Sequence, residues 1–85
     1  MKDTMLLKRA AEVIAERQLV YGDAATSMSA VAARWSITLD APITPEQVVL
    51  CLIDLKLTRL CQNPWHYDSA VDLAGYSGLL QELRR

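Results

Sequence analysis

Residues 43–64 read ITPEQVVLCLIDLKLTRLCQNP, and this stretch decides the fold. Thr44 is a favourable N-cap, Pro45 suits the first position of a helix, and Gln47 completes a capping box. The pattern ends at Asn63-Pro64, because the residue before a proline is disfavoured in the α conformation. These signals predict a helix over about 45–62.

The predicted central helix is apolar nearly all round. Residues 48–53 are six apolar side chains in succession, and although some are β-branched, the length of the segment and its cap favour a helix over a strand. We therefore expect it to lie at the centre of the protein. Cys51 and Cys61 are about 15 Å apart along its axis and cannot pair with each other. We interpret both as small apolar core residues of a cytosolic protein.

Three further helices are predicted around the central one. The first is capped by Asp3 or Thr4, runs to about Leu19 and is broken by Gly22. The last begins between residues 66 and 68 and extends over about 67–83. The inward stripe of the first helix comprises Leu6, Ala10, Val13, Ile14 and Arg17, and that of the second comprises Met28, Val31, Ala32, Trp35 and Leu39.

Length and composition support a single all-α domain over residues 1–85, built as a compact bundle of about four helices. The apolar fraction of 52% excludes a disordered chain. A core this small favours self-association into a homo-oligomer. The net charge of −1 makes duplex nucleic acid an unlikely partner. We recognise no signal peptide and no membrane-spanning segment, so we expect a cytoplasmic protein without a membrane partner.

Two charged pairs face each other in the predicted hairpin of helices 45–62 and 67–83. Lys56 and Arg59 are three residues apart, and Asp68 and Asp72 are four apart, so each pair lies along one side of its helix. Antiparallel packing brings Arg59 towards Asp68 and Lys56 towards Asp72. Two interpretations stay open. The pairs are interhelical ion pairs, or they form a site in which the cations bind phosphate and the aspartates orient a ligand or a metal ion.

Other polar and aromatic residues give weaker signals. Trp65, in a loop, and Tyr21, before the Gly22 turn, are candidates for stacking on a ligand. His66 is the only histidine, which excludes a multi-histidine zinc site, and it is predicted to be a loop or capping residue. Glu12 and Glu16 are expected to form exposed i, i+4 pairs with Lys8 or a neighbour.

The order of the motifs resembles a family of small bacteriophage and prophage proteins of unknown function. The resemblance covers about residues 12–80. The motifs are Glu16-Arg17, Tyr21-Gly22-Asp23, Ala33-Arg34-Trp35-Ser36, the segments 43–48 and 55–60, and, most specifically, Asp68-Ser-Ala-Val-Asp72-Leu-Ala-Gly75-Tyr76.

The last motif is also similar, more distantly, to phage nucleotide-modification-associated domains and to MazG-like nucleotide pyrophosphohydrolases. That resemblance implies an oligomeric all-α protein in which Asp68 and Asp72 contact a metal ion, Mg²⁺, or a ligand, beside Lys56 and Arg59. The hydrolases take further metal ligands from Glu-x2-Glu and Glu-x2-Asp pairs, which this chain lacks at matching places. We therefore favour binding over catalysis.

Three functions are compatible with these observations. The first is a phage accessory protein that binds a phosphorylated small molecule, a nucleotide, through Lys56, Arg59, Asp68, Asp72, Trp65 and Tyr21, and that sequesters a nucleotide immune signal in counter-defence. The second is a reduced MazG-like hydrolase that requires Mg²⁺ as its cofactor. The third is an interaction module that inhibits a host protein through the Trp65 loop.

Overall fold

The computed structural model describes residues 4–84, which form four α-helices. Helix α1 spans Thr4–Tyr21, α2 spans Ala24–Leu39, α3 spans Pro45–Gln62 and α4 spans Tyr67–Glu82. The predicted all-α bundle is confirmed, and α3 and α4 have the predicted boundaries to within one residue. Asp3, one of the two predicted caps of α1, lies outside the described residues. Helix α1 continues two residues beyond its predicted end and stops at Gly22, which has a φ of 78°.

The predicted caps of α3 are present. The Thr44 side chain accepts a hydrogen bond of 3.2 Å from Gln47 N, and the Gln47 side chain accepts one of 2.8 Å from Thr44 N. These two bonds satisfy donors that the first turn of a helix leaves unpaired. At the other end, Asn63 is the C-cap and its N–H donates to the Arg59 carbonyl. Local sequence alone therefore determines where this helix begins and ends.

The helices do not all pack against one another. Helix α3 packs against α4 and α2, α1 packs mainly against α4, and α1 has few contacts with α2 although only two residues connect them. The buried apolar side chains of the described residues come from all four helices. They are Ala10, Ala32, Val48, Val49 and Val71.

The predicted central helix α3 packs against both α4 and α2 and contributes the fully buried Val48 and Val49. Its outer surface, with Leu50, Leu55 and Leu57, is exposed. One expectation about the core was wrong. Cys51 and Cys61 lie outside the packed face of α3 and are exposed free thiols, not core residues. Along the predicted stripe of α2, Trp35 is half-buried, whereas Leu39 at the helix end is exposed.

Helix α2 ends where Asp40 adopts a left-handed conformation with a φ of 51°. The Asp40 N–H then donates to carbonyls of the last helical turn, at Ile37 and Ser36. The Ser36 side chain holds the following loop, since its Oγ accepts a hydrogen bond of 2.9 Å from Ile43 N. None of the helices in the described part of the chain has the length and apolar character needed to cross a membrane.

Candidate ligand-binding site

Asp72 on α4 lies between two cations from different helices. Its Oδ2 atom is 3.2 Å from Lys56 Nζ on α3, and its Oδ1 atom is 3.5 Å from Arg17 Nη2 on α1. The Lys56 and Asp72 side chains are mostly buried, with 11% and 18% of their surface exposed, whereas Arg17 is 52% exposed. The predicted approach of Lys56 to Asp72 is confirmed. The ion pair is partly shielded from water, so the charge of each partner must be neutralised by the other.

The second predicted pair does not form. No ion pair joins Arg59 to Asp68 within residues 4–84, and Arg59 is exposed. Arg59 is three residues beyond Lys56, which rotates it about 60° around α3 and away from the buried side. Asp68 is directed towards α1, where it lines a small cleft with Glu16 and Arg17. Helix α1, rather than α3, covers this part of α4.

A cleft of about 670 Å³ lies between α1, α2 and α4, and we call it the main cleft. Its volume is within the range of small-molecule sites. Apolar atoms make up most of the surface area of its lining. Helix α4 contributes two glycines, at 75 and 78, beside Ile14. The polar lining comes from Arg17, Gln18, Tyr21, Asp23, Ser27, Asp72, Tyr76, Gln81 and Glu82.

The main cleft includes only part of the predicted set of site residues. Tyr21 and Asp72 line it, and Lys56 contacts Asp72 without lining the cleft. Arg59, Asp68 and Trp65 do not line it. Trp65 is 85% exposed in the loop between α3 and α4, where its backbone N–H donates to Oδ1 of Asn63. The structure therefore brings together a smaller group than the sequence predicted.

Arg17 is the residue that the sequence analysis missed as part of the site. It lines the main cleft and contacts Asp72, and it is one helical turn before Tyr21 on the same side of α1. A signal was present in the sequence: Arg17 occupies a position of the otherwise apolar inward stripe of α1. A cation at such a position needs a partner on the neighbouring helix.

Asp23 closes the end of the main cleft where α2 begins. As the N-cap of α2, its side chain accepts hydrogen bonds from Thr26 N at 3.1 Å and from Thr26 Oγ1 at 2.8 Å. The bond from the Thr26 hydroxyl, followed by that from the Thr26 N–H, lowers the pKa of the Asp23 carboxyl. Asp23 therefore stays ionised and is engaged in holding α2.

A smaller cleft of about 300 Å³ lies on the other side of Arg17, with Glu16, Asp68 and Asp72 among its lining residues. Arg9 also lines it and bonds Glu12 and Glu16 at 3.1 and 3.2 Å. The cation is therefore the neighbour of Lys8, and the spacings are three and seven residues and not the predicted i, i+4. These hydrogen bonds raise the pKa of Arg9. Residues 4–84 contain no group of three acidic, cysteine or histidine side chains placed to hold a metal ion.

His66 is the N-cap of α4, as the sequence predicted for a loop or capping residue. Its Nδ1 atom accepts a hydrogen bond of 3.3 Å from Ser69 N and lies 2.7 Å from Ser69 Oγ. Ser69 is fully buried against this ring. The cap fixes the first turn of α4 and therefore the direction in which Asp68 and Asp72 leave the helix.

Comparison with known proteins identifies the family. The profile of DUF6378, a domain of unknown function, matches residues 5–84. The chain belongs to this family. It is also similar to the Gene 55 protein of Mycobacterium phage L5, with 36% identity over 81 residues that cover 93% of this chain and 52% of the phage protein. The chain thus spans about half the length of this relative. No solved structure matches it significantly.

The predicted resemblance to small phage proteins of unknown function is therefore confirmed. The more distant resemblance to MazG-like hydrolases is not shown by these comparisons and stays a prediction.

Proposed function

We propose that this DUF6378 protein binds a phosphorylated small molecule, a nucleotide, in the main cleft. The observation that carries the proposal is the position of Arg17 and Tyr21 one turn apart at a cleft of about 670 Å³. A guanidinium group binds phosphate oxygens through several donors, and a tyrosine ring stacks on a base. These two contacts match the two ends of a nucleotide.

Arg17 is better suited than Lys56 to contact the phosphate. Lys56 is buried and committed to Asp72 at 3.2 Å, whereas Arg17 is half exposed and makes only a long bond of 3.5 Å to the same carboxylate. A guanidinium has five N–H donors, so most of those on Arg17 stay available to a ligand. In the proposed complex, Lys56 acts indirectly by neutralising Asp72 beneath the phosphate.

The charges of the main cleft limit the kind of nucleotide. Arg17 is accompanied by three carboxylates, from Asp23, Asp72 and Glu82. Lys56 compensates Asp72, and the N-terminus of α2 compensates Asp23. One available cation favours a ligand with one or two negative charges, such as a monophosphate or a cyclic nucleotide, over a triphosphate. The carboxylates are suited to accept hydrogen bonds from ribose hydroxyls and base amino groups.

The proposed biological role is that of a phage accessory protein that retains a nucleotide without converting it. By sequestering a nucleotide signal of host immunity in the host cytoplasm, such a protein would serve counter-defence. The support for this role is the similarity to a mycobacteriophage protein.

A thermal-shift panel of nucleoside monophosphates, cyclic mononucleotides, cyclic dinucleotides and ATP tests the proposal. A ligand present at 100 times its Kd stabilises the fold by about 2.7 kcal/mol, which raises the Tm of a domain of this size by about 10 °C or more. The absence of stabilisation by every member of the panel would contradict nucleotide binding.

Two variants test whether the ligand binds in the main cleft. Arg17→Ala is expected to weaken binding by about 10- to 150-fold, the loss that corresponds to a charged hydrogen bond of about 1.5–3 kcal/mol. Arg34→Ala is the matched control, because Arg34 is an exposed arginine outside the main cleft. Chromatography of the released ligand should recover it unchanged. Equal losses in the two variants would place the site elsewhere, and conversion of the nucleotide would favour the hydrolase instead.

A further inference from the structure

The last turn of α1 is unusually apolar for a surface. Leu19, Val20 and Tyr21 are consecutive and have 89%, 73% and 73% of their surface exposed. A helical turn in a protein is stabilised mainly by packing of an apolar face. Tyr21 lines the main cleft, whereas Leu19 and Val20 do not, and Leu19 projects from the side of α1 opposite Arg17 and Tyr21. Leu19 and Val20 form a bare apolar tip at the end of α1.

The chain exposes more surface than a compact monomer of its mass. The accessible surface is 6278 Å² for 9.5 kDa. Folded monomers of that mass expose about 5,000 Å² on average, which leaves an excess of about 1,200 Å². A stable protein interface removes about 800 Å² from each partner. The excess is thus large enough to be the surface that a second copy covers.

Charge near the tip permits pairing of identical surfaces. Glu16 lies about one turn before Leu19 on the same side of α1 and is paired with Arg9 at 3.2 Å, and the net charge of the chain is only −1. In a two-fold dimer the same patch meets itself, so a patch of mixed charge avoids repulsion. The outer side of α3 is less suitable: Leu50 and Leu57 are about half as exposed as Leu19, and Asp54 projects from the same side.

We propose that a second copy of this chain covers the α1 tip, with Leu19 and Val20 of both copies at the centre of a two-fold interface. This interface lies on the outer side of α1 and leaves the main cleft open. The dimer forms without a ligand, so this inference and the proposed nucleotide binding fail or succeed independently.

Analytical ultracentrifugation of the purified chain tests the inference. The wild-type protein is expected to sediment as a dimer, and Leu19→Glu and Val20→Glu should each weaken dimerisation by about 30-fold or more, as expected for residues at the centre of an interface. Met5→Glu is the matched control. Met5 is 74% exposed on the same helix but lies about 21 Å from Leu19 along its axis. Circular dichroism checks that each variant remains helical.

If the glutamate variants fail to fold, the distance between spin labels on the two copies still tests the proposal. With Cys51→Ser and Cys61→Ser removing the native thiols, a label attached at Ala15→Cys, an exposed position one turn before Leu19, should give a shorter distance between the two copies than a label at Met5→Cys. A wild-type monomer, a dimer that Met5→Glu disrupts as strongly as Leu19→Glu, or a shorter distance at residue 5 would overturn the proposal.

Discussion

Removal of the Asp72 carboxylate is the sharpest test of the charge arrangement at the centre of the bundle. In Asp72→Ala, Lys56 stays buried, with 11% of its side chain exposed, and loses the carboxylate oxygen at 3.2 Å. Breaking a buried ion pair from one side costs about 3–5 kcal/mol, and the residual exposure of this pair favours the lower end, about 3 kcal/mol. For a domain of 60–100 residues, that corresponds to a fall in Tm of about 12–24 °C.

Removal of the lysine should cost less, because Asp72 keeps Arg17 as a second partner at 3.5 Å. Lys56→Met also preserves most of the volume of the lysine stem, so we expect a loss of about 1–2 kcal/mol. Urea unfolding of both variants and of the double variant Lys56→Met/Asp72→Ala gives the coupling energy of the pair. The double variant should be more stable than Asp72→Ala. If Lys56→Met were as destabilising as Asp72→Ala, the asymmetry derived from Arg17 would be wrong.

Three further predictions concern two helix caps and one glycine of α4. Thr44→Ala should lower the free energy of unfolding by about 1 kcal/mol, measured in urea, because it removes the 3.2 Å bond from Gln47 N. Gly78→Ala should raise it by about 0.4–1 kcal/mol in the same assay, since the added Cβ would lie 3.8 Å from Ile14 Cδ1, an ordinary contact; a loss would show that α4 needs glycine there. Asp23 has a lowered pKa, so its contribution is present above the ordinary value of 3.8 and is lost as the pH falls through its folded value. Asp23→Asn should remove that part of the acid sensitivity in a series of thermal melts, whereas an unchanged pH profile would contradict it.

The helices were predictable because their signals are local. The capping box at Thr44 and Gln47 and the break at Asn63-Pro64 depend on residues within one turn of each helix end. The contact of Lys56 with Asp72 was also predictable, because a short connection makes α3 and α4 neighbours. In each case the interacting groups lie in adjacent elements of the chain.

The rest of the site depends on which helix covers each side of α4, and periodicity does not contain that information. Arg59 was predicted to meet Asp68, but α1 packs along that side of α4 and Asp68 faces Glu16 and Arg17. The burial predicted for Cys51 failed for the same reason, because periodicity does not show which helices cover each side of α3. An apolar run predicts burial only if enough neighbours are available, and in one chain α3 has two.

The double compensation of Asp72 has a consequence for exchange of its counter-ion. Lys56 and Arg17 reach the same carboxylate from α3 and α1, two helices that do not pack against each other. An anion arriving at α1 can therefore draw the guanidinium away while the ammonium on α3 still neutralises the carboxylate. Lys56 thus remains the counter-ion of Asp72, while Arg17 can bind another anion without leaving the Asp72 carboxylate uncompensated.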